Sequence, residues 1–315
     1  MSRRKILIIT PIAFGYTKYI YESLSKFENV DSSLIYIDNI NFRYRNLAHR
    51  TKNFLLKTFF KINIKKRYIT ELINSYDQQD EIFIIRPDLL DDYVLRFTKR
   101  KTKKLSAFYF DSIGHFPRKK DIIPFFDSIL SFDKTDVKNH GFEFCTNYIF
   151  DSCIDYTPEK NTFFNISGHD DDYRFAKLES LARYISRKDW SYKFISVSKR
   201  IKESNFLTIS KNIIPVEEIK SLLLSSKILV EFQRENQIGL SFRVFEALGY
   251  NKKLITTNTD IINYDFYHPQ NILVLNPDVL KIPSSFVESP YVEIPEYILA
   301  PYRIDNWVKK VFNLK

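Results

Sequence analysis

Apolar residues in this chain come mostly in short, unbroken runs. Lys5 to Thr10, Glu81 to Ile85, Leu105 to Phe110 and Ser128 to Ser131 are each bounded by charge or proline, the mark of strands buried on both faces of a parallel sheet. After the first run comes a loop containing Gly15, then Thr17 to Phe27, where Ile20, Leu24 and Phe27 recur at helical spacing, then a strand-like Ser33 to Ile37. This β-α-β opening predicts a parallel sheet and an α/β fold. The alternation resumes with strands predicted over Thr162 to Ile166, Tyr192 to Val197, Lys227 to Phe232, Lys253 to Thr257 and Asn271 to Leu275, and helices over Tyr173 to Ser186, Val216 to Ser225 and Gly239 to Tyr250. A polar stretch around Pro158 to Asn161 separates the two series. The expected architecture is two Rossmann-like doubly wound domains, residues 1–157 and 158–300, facing a central cleft at the carboxyl ends of both sheets. In the last segment, 301–315, Ile304, Trp307, Val308 and Val311 fall at helical spacing, and this helix can cross back to the first domain.

A length of 315 residues agrees with two cores rather than one. Two cysteines, Cys145 and Cys153, exclude a disulfide scaffold or a cysteine-rich metal site and suit a reduced, cytoplasmic setting. The opening Ser2-Arg3-Arg4-Lys5 followed by an apolar run resembles a signal peptide, but Pro11 interrupts the run and no small-x-small site follows, so a buried first strand is expected. No run of 18 apolar residues occurs, which excludes a spanning helix of that kind and leaves peripheral contact as the form of any membrane association. The net charge of +10 is uneven: residues 1–155 hold 26 basic and 19 acidic residues, a net +7. That half is expected to face something anionic, and nucleic acid, anionic lipid and a phosphorylated substrate all qualify.

The most informative stretch lies between Ile228 and Asn258. Leu240, Val244, Ala247 and Leu248 make one apolar helix face, while Arg243 and Glu246 share the other. Gly239 and Ser241 stand at the predicted helix start, where unpaired backbone N–H groups and the dipole favour a phosphate. An arginine one turn in can add a charge-assisted contact to a diphosphate, and a carboxylate further along can accept from ribose hydroxyls. A surface ion pair on a glycine-started helix accounts for the same residues equally well.

The string Gln237-x-Gly239-Leu240-Ser241-x-Arg243-x-x-Glu246-Ala247-Leu248, with Lys252 to Asn258 and Tyr264 to Tyr267 after it, resembles a family of bacterial capsular and lipopolysaccharide biosynthesis proteins of GT-B glycosyltransferase type. Phe126 to Asp136 is similar to the segment that ends that family's first domain, and Asn165 to Arg174 to the opening loop of its second. The resemblance covers most of residues 105–275. It implies a nucleotide-sugar donor, with UDP the commonest choice and CMP or GDP the alternatives, held by the second domain. It also implies a glycan or lipid-linked acceptor bound mainly by the first, on the cytoplasmic membrane face, and no obligatory metal cofactor. The chain departs from the better-known E-x7-E signature, since Ile238 stands eight positions before Glu246, so a retaining mechanism built on that pair is not supported.

In that frame Gly168, His169 and Arg174 are candidate donor-phosphate contacts together with Gly239, Leu240, Ser241, Arg243 and Glu246; an exposed loop histidine capping the next helix explains His169 as well. Asp170-Asp171-Asp172 admits a second reading as the metal-binding Asp-x-Asp of the other glycosyltransferase architecture, GT-A, although acids before a helix commonly serve as caps. Asp111 ends a predicted strand at its carboxyl edge and is the first candidate for the base that takes the acceptor hydroxyl proton, with His115 the second. Gly15 and Tyr16, in the matching loop after the first strand, are candidate acceptor contacts. From Arg43 to Arg67 the chain has nine Lys/Arg and no Asp/Glu, with Phe54, Leu55, Leu56, Phe59 and Phe60 interleaved. A solvated charged helix, an anionic membrane surface and nucleic acid all fit this run. Nucleic acid is not expected as the partner, because no recognised motif or aromatic stacking platform is present.

Overall fold

Ile6, Leu7, Ile8 and Ile9 are all fully buried, so the strand they form, β1 (Arg4–Thr10), is covered on both faces, as its unbroken apolar run requires. The structure, a computed structural model, describes residues 3–38, 42–60, 62–154, 157–168, 172–198, 200, 203–212 and 214–314, the side chains of residues 65 and 66 excepted. Two units divide the chain, Met1–Thr146 and Asn147–Lys315.

In the first unit β1 is joined by β2 (Val30–Tyr36), β3 (Gln79–Ile85), β4 (Thr102–Tyr109), β5 (Ser128–Ser131) and β6 (Glu143–Phe144). All pair in parallel, in the order β2-β1-β3-β4-β5-β6. Winding reverses at β1, whose neighbours are β2 on one side and β3 on the other, and the crevice for a ligand in such a sheet lies at the carboxyl ends of those strands. One face is closed by Leu7, Ile9, Ile82, Ile84 and Leu105 packing with Ile69 and Ile73 of the helix Ile64–Asn74 and with Val94 and Leu95 of the helix Asp92–Arg100.

The second unit carries β7 (Asn161–Gly168), β8 (Tyr192–Val197), β9 (Thr208–Ser210), β10 (Ser226–Glu231), β11 (Lys253–Thr256) and β12 (Ile272–Val274). Their order is β12-β11-β10-β7-β8-β9, again all parallel. This is the Rossmann order, with its switch point between β7 and β10. Phe163, Ile228, Val230 and Ile255 pack on Leu178, Leu181 and Ile185 of the helix Asp172–Ser186. The expected α/β fold with two Rossmann-like units is therefore present.

The division falls at 146/147 and not at 157/158, where the polar stretch suggested it. Residues 147–153 form no helix or strand of their own, yet side chains lash them to the second unit. The Asn147 amide donates to the Leu240 carbonyl at 2.9 Å, the Tyr148 ring meets Phe242 at 5.2 Å and Trp307 at 4.8 Å, and Tyr250 donates to Asp151 at 2.9 Å. Gly249 is required for that approach, since a Cβ there would collide with the Asp151 carbonyl oxygen and lie 2.9 Å from Ile149 Cγ2. The C-terminal helix, Ile304–Phe312, accordingly belongs to the second unit. What it meets, through Trp307, is the segment the sequence had assigned to the first domain.

Candidate functional site

The switch point of the second unit gathers most of the residues singled out in the motif. The helix there runs Phe242–Gly249, starting three residues later than Gly239, and Ser241 is its N-cap, accepting from the Arg243 N–H at 3.2 Å. Gly239 and Leu240 thus sit in the loop before it, with Leu240 buried. Four successive carbonyls of that loop each accept from a side-chain carboxamide. Gln233 donates to Gln237 and Gly239 at 2.6 and 3.0 Å, Asn258 to Ile238 at 3.0 Å, and Asn147 to Leu240. A segment without regular structure is thereby held in one conformation. A trans peptide sets each following N–H on the side opposite its carbonyl, away from those carboxamides.

Two arginines converge on the end of β7. Arg174, from the helix Asp172–Ser186, donates to the Gly168 carbonyl at 2.8 Å, and Arg243 donates to the Ile166 carbonyl at 3.2 Å. Arg243 also pairs with Glu246 at 2.7 Å. The sequence placed Arg243 and Glu246 on a helix face opposite the core. In the structure the whole helix from Arg243 to Gly249 is buried, with Arg243 9% and Glu246 2% exposed, and the Arg243 guanidinium turns onto β7, against the Ile166 carbonyl and, at 5.6 Å, the Phe164 ring. The pair is therefore buried rather than superficial.

Glu231, which the sequence reading missed, completes this cluster at the carboxyl end of β10. It pairs in register with Thr256, whose hydroxyl donates to it at 2.6 Å. Burial pushes its carboxyl above the usual carboxylate range, against the hydrogen bonds of Thr256 and Ser241 and the charges of Arg243 and Arg174. A signal was available: an acid ending an apolar strand run. Gln233, Asn147 and Asn258 left none, since their partners are backbone carbonyls that no side-chain spacing reports. His169, Asp170 and Asp171 lie outside the described residues. Asp172 opens its helix at the dipole's positive end. Among the described residues no group of three or more His, Cys, Asp or Glu is placed to hold a metal ion.

In the first unit the carboxyl edge of the sheet carries a second cluster, built around a residue the sequence reading passed over. Arg86, just beyond β3, has φ of 58°, a left-handed conformation that costs a non-glycine residue on the order of 1–3 kcal/mol. Its guanidinium forks onto Asp88 at 2.9 and 2.7 Å, reaches Asp111 at 3.5 Å and lies over the Phe116 ring at 3.9 Å. Burial opposes ionisation of Asp88, but the Arg86 hydrogen bonds and charge, with Lys119 adding, hold its carboxyl below the usual range. Asp111 stands at the end of β4, and Lys119, fully buried, donates to its backbone carbonyl. Burial lowers the Lys119 pKa to about 8, against the attraction of Asp111 and Asp88. His115 is exposed, with its ring 4.4 Å from Phe116. Asp111 and His115 therefore share one cluster.

Gly15 and Tyr16 follow β1 in a tight turn where Ala13, Phe14 and Gly15 all have positive φ, 44°, 57° and 92°. Because β3 lies between β1 and β4, this turn stands two strands from Asp111, roughly 10 Å at ordinary strand spacing. Arg86 occupies the strand end between them.

Each unit thus has the doubly wound parallel sheet of the GT-B fold, the fold of solved structures that resemble this chain along its whole length. An alpha-glucosyltransferase in complex with UDP and a 13-mer DNA containing an HMU base has a TM-score of 0.59 at 10% identity, covering 99% of each chain. The Methanocaldococcus jannaschii UDP-GlcNAc 2-epimerase in complex with UDP-GlcNAc and UDP gives 0.55 at 10% identity, with 99% of each chain covered. The S. aureus MnaA–UDP structure gives 0.55 at 10%, covering 99% of this chain and 98% of that one. No protein-family model and no curated protein matches the sequence.

Proposed function

We propose that this protein is a glycosyltransferase that moves a sugar from a nucleotide-sugar donor, held by the second unit, to a glycan or lipid-linked acceptor bound mainly by the first. We assign the reaction to the assembly of bacterial surface polysaccharide, capsule or lipopolysaccharide O-antigen, on the strength of the motif from Gln237 to Leu248. The observation that carries the transferase reading is the convergence of Arg174 and Arg243 on the end of β7, beside a helix start capped by Ser241. Two guanidiniums and a helix N-terminus at a Rossmann switch point suit a diphosphate. The UDP and UDP-sugar complexes of proteins with this fold support the same ligand class.

In the proposed reaction the acceptor hydroxyl oxygen bonds to the anomeric carbon as the bond from that carbon to the diphosphate oxygen breaks. Asp111 takes the hydroxyl proton. The electron pair leaves on the nucleoside diphosphate, whose growing charge Arg174, Arg243 and the N–H groups at the Ser241 helix start stabilise. The decisive experiment is thermal unfolding with UDP, GDP, CMP and their sugars. One nucleotide should raise the midpoint in a concentration-dependent way, since a ligand that binds only the native state stabilises it. No shift with any of them would remove the donor assignment. A nucleic-acid acceptor is a second reading, favoured by the acid-free run from Arg43 to Arg67 and by the DNA in the glucosyltransferase complex; oligonucleotide binding with a steep salt dependence would select it.

A further inference from the structure

The helix Leu47–Phe60 is built the wrong way round for a helix that packs on its own protein. Of its 14 residues only Asn53 is buried. The Asn53 amide donates to the Tyr44 hydroxyl at 2.6 Å, and its oxygen accepts from the Ile64 N–H at 2.8 Å, so the polar residue points inward and caps the next helix. The large apolar side chains point out: Leu47 is 77%, Phe54 65%, Leu55 47% and Phe59 71% exposed, and Phe60, the last residue of the helix and on the Asn53 side of it, is 68% exposed. At about 100° per residue, Phe54, Leu47, Thr58, Thr51, Leu55, Ala48 and Phe59 fill an arc of roughly 140° whose centre lies opposite Asn53. Lys52 borders that arc on one side, Arg50 and Lys57 on the other.

An exposed apolar stripe edged by bases on both flanks is the pattern of a helix that lies in a membrane interface, its apolar face at the acyl boundary and its cations at the headgroups. From the structure we infer that the outward face of Leu47–Phe60 docks on a lipid bilayer rich in anionic headgroups. Charge selects this occupant. The stretch Arg43–Arg67 holds nine bases and no acid, and a cavity of about 480 Å³ beside the helix is lined by Arg43, Arg45, His49 and Arg67 with Glu71 as its one acid. A second copy of this chain docked across a two-fold axis would set those cations against their like. Nucleic acid would meet the bases but leave the Phe54–Phe59 arc in water.

The test is sedimentation of the full chain with vesicles of phosphatidylcholine and phosphatidylglycerol, and of phosphatidylcholine alone. The expected result is strong partition to the anionic vesicles, weakened by salt, and little to the neutral ones. Phe54→Ser with Phe59→Ser should lower that partition at least about tenfold, and Arg50→Gln with Lys52→Gln and Lys57→Gln by on the order of 100-fold at low ionic strength. Leu47→Ser with Leu55→Ser puts the same question to other residues of the arc, and an unchanged unfolding midpoint shows that each variant folds. No binding by the unmodified protein, or unchanged binding by the folded variants, overturns the inference. So does oligonucleotide binding that depends on the bases and ignores both phenylalanines. Because the assay contains no nucleotide, its failure is distinct from failure of the donor assignment.

Discussion

Both units place a charged cluster at the carboxyl edge of a parallel sheet, but they build it by different means. In the second unit a short contiguous motif supplies the loop, the N-cap and the Arg243–Glu246 pair; of the charged members Arg174 and Glu231 come from elsewhere, as do the carboxamides that hold the loop. In the first unit the cluster is drawn from three separated segments: Arg86 and Asp88 after β3, Asp111 and His115 after β4, and Lys119 in the short helix Arg118–Asp121 beyond. The first arrangement is local and recognisable in sequence, whereas the second exists only once the strands pair. Local construction fixes a binding surface that one helix can carry. Assembly across strands sets Asp88 and Lys119 among charges from other segments, and those charges act on the ionisation of both.

The largest effect expected from breaking this contrast lies in the second unit. Arg243→Ala or Glu246→Ala alone leaves an unpaired charge in a buried site and should cost about 3–5 kcal/mol of stability. Replacing both together, Arg243→Met with Glu246→Gln, should recover much of that loss in urea unfolding while nucleotide affinity stays weakened by roughly tenfold or more. Wild-type affinity in the folded double variant would remove both residues from the donor site.

Next in size is the proposed base of the first unit. Asp111→Asn should lower turnover by a factor on the order of 10² or more with donor affinity nearly unchanged. Near-normal turnover would leave Asp111 a structural partner of Arg86 and pass the role to His115.

Lys119 gives a smaller, pH-dependent signature of the first unit's coupling. Its pKa falls to about 8 in the folded chain through burial, against about 10.4 for an unperturbed lysine. Between those values the unfolded chain binds the extra proton, so stability rises with pH and the penalty is fully present below pH 8. Going from pH 7.5 to 9.5, the unmodified protein should gain on the order of 2 kcal/mol relative to Lys119→Met. Parallel stability curves for the two proteins would show that Lys119 does not titrate in this range.

The smallest effect tests how closely a ligand approaches β7. Gly168 has nothing within 4 Å of where a Cβ would stand, so Gly168→Ala should leave the unfolding midpoint unchanged. If donor phosphates approach that backbone, nucleotide affinity should nonetheless fall severalfold, and equal affinity would place the phosphates elsewhere.

What the sequence by itself determined is the periodicity-borne part of this protein. Apolar runs marked the inner strands β1, β3 and β10, because a parallel strand covered on both faces is apolar along its buried length, whereas the edge strand β2 carries Asp31, Ser32 and Ser33. Among the strands of two or three residues, β12 lies in an apolar run, Ile272 to Leu275, and was legible, whereas β6 (Glu143–Phe144) and β9 (Thr208–Ser210) hold polar residues and show no run. The motif around Ser241 was legible because its residues are contiguous, although several of their partners, Asn147, Asn258 and Ile166, lie far off in the chain. Tertiary structure alone decided the rest. It assigned residues 147–153 to the second unit through side chains reaching distant backbone, and it buried Arg243 and Glu246, with Arg243 against β7. It also gathered Arg86, Asp111 and Lys119, and it turned Asn53 inward and the phenylalanines of its helix outward. These are contacts between residues far apart in the chain, and a composition or a spacing holds no record of which of two faces, or which of several strands, a side chain will meet.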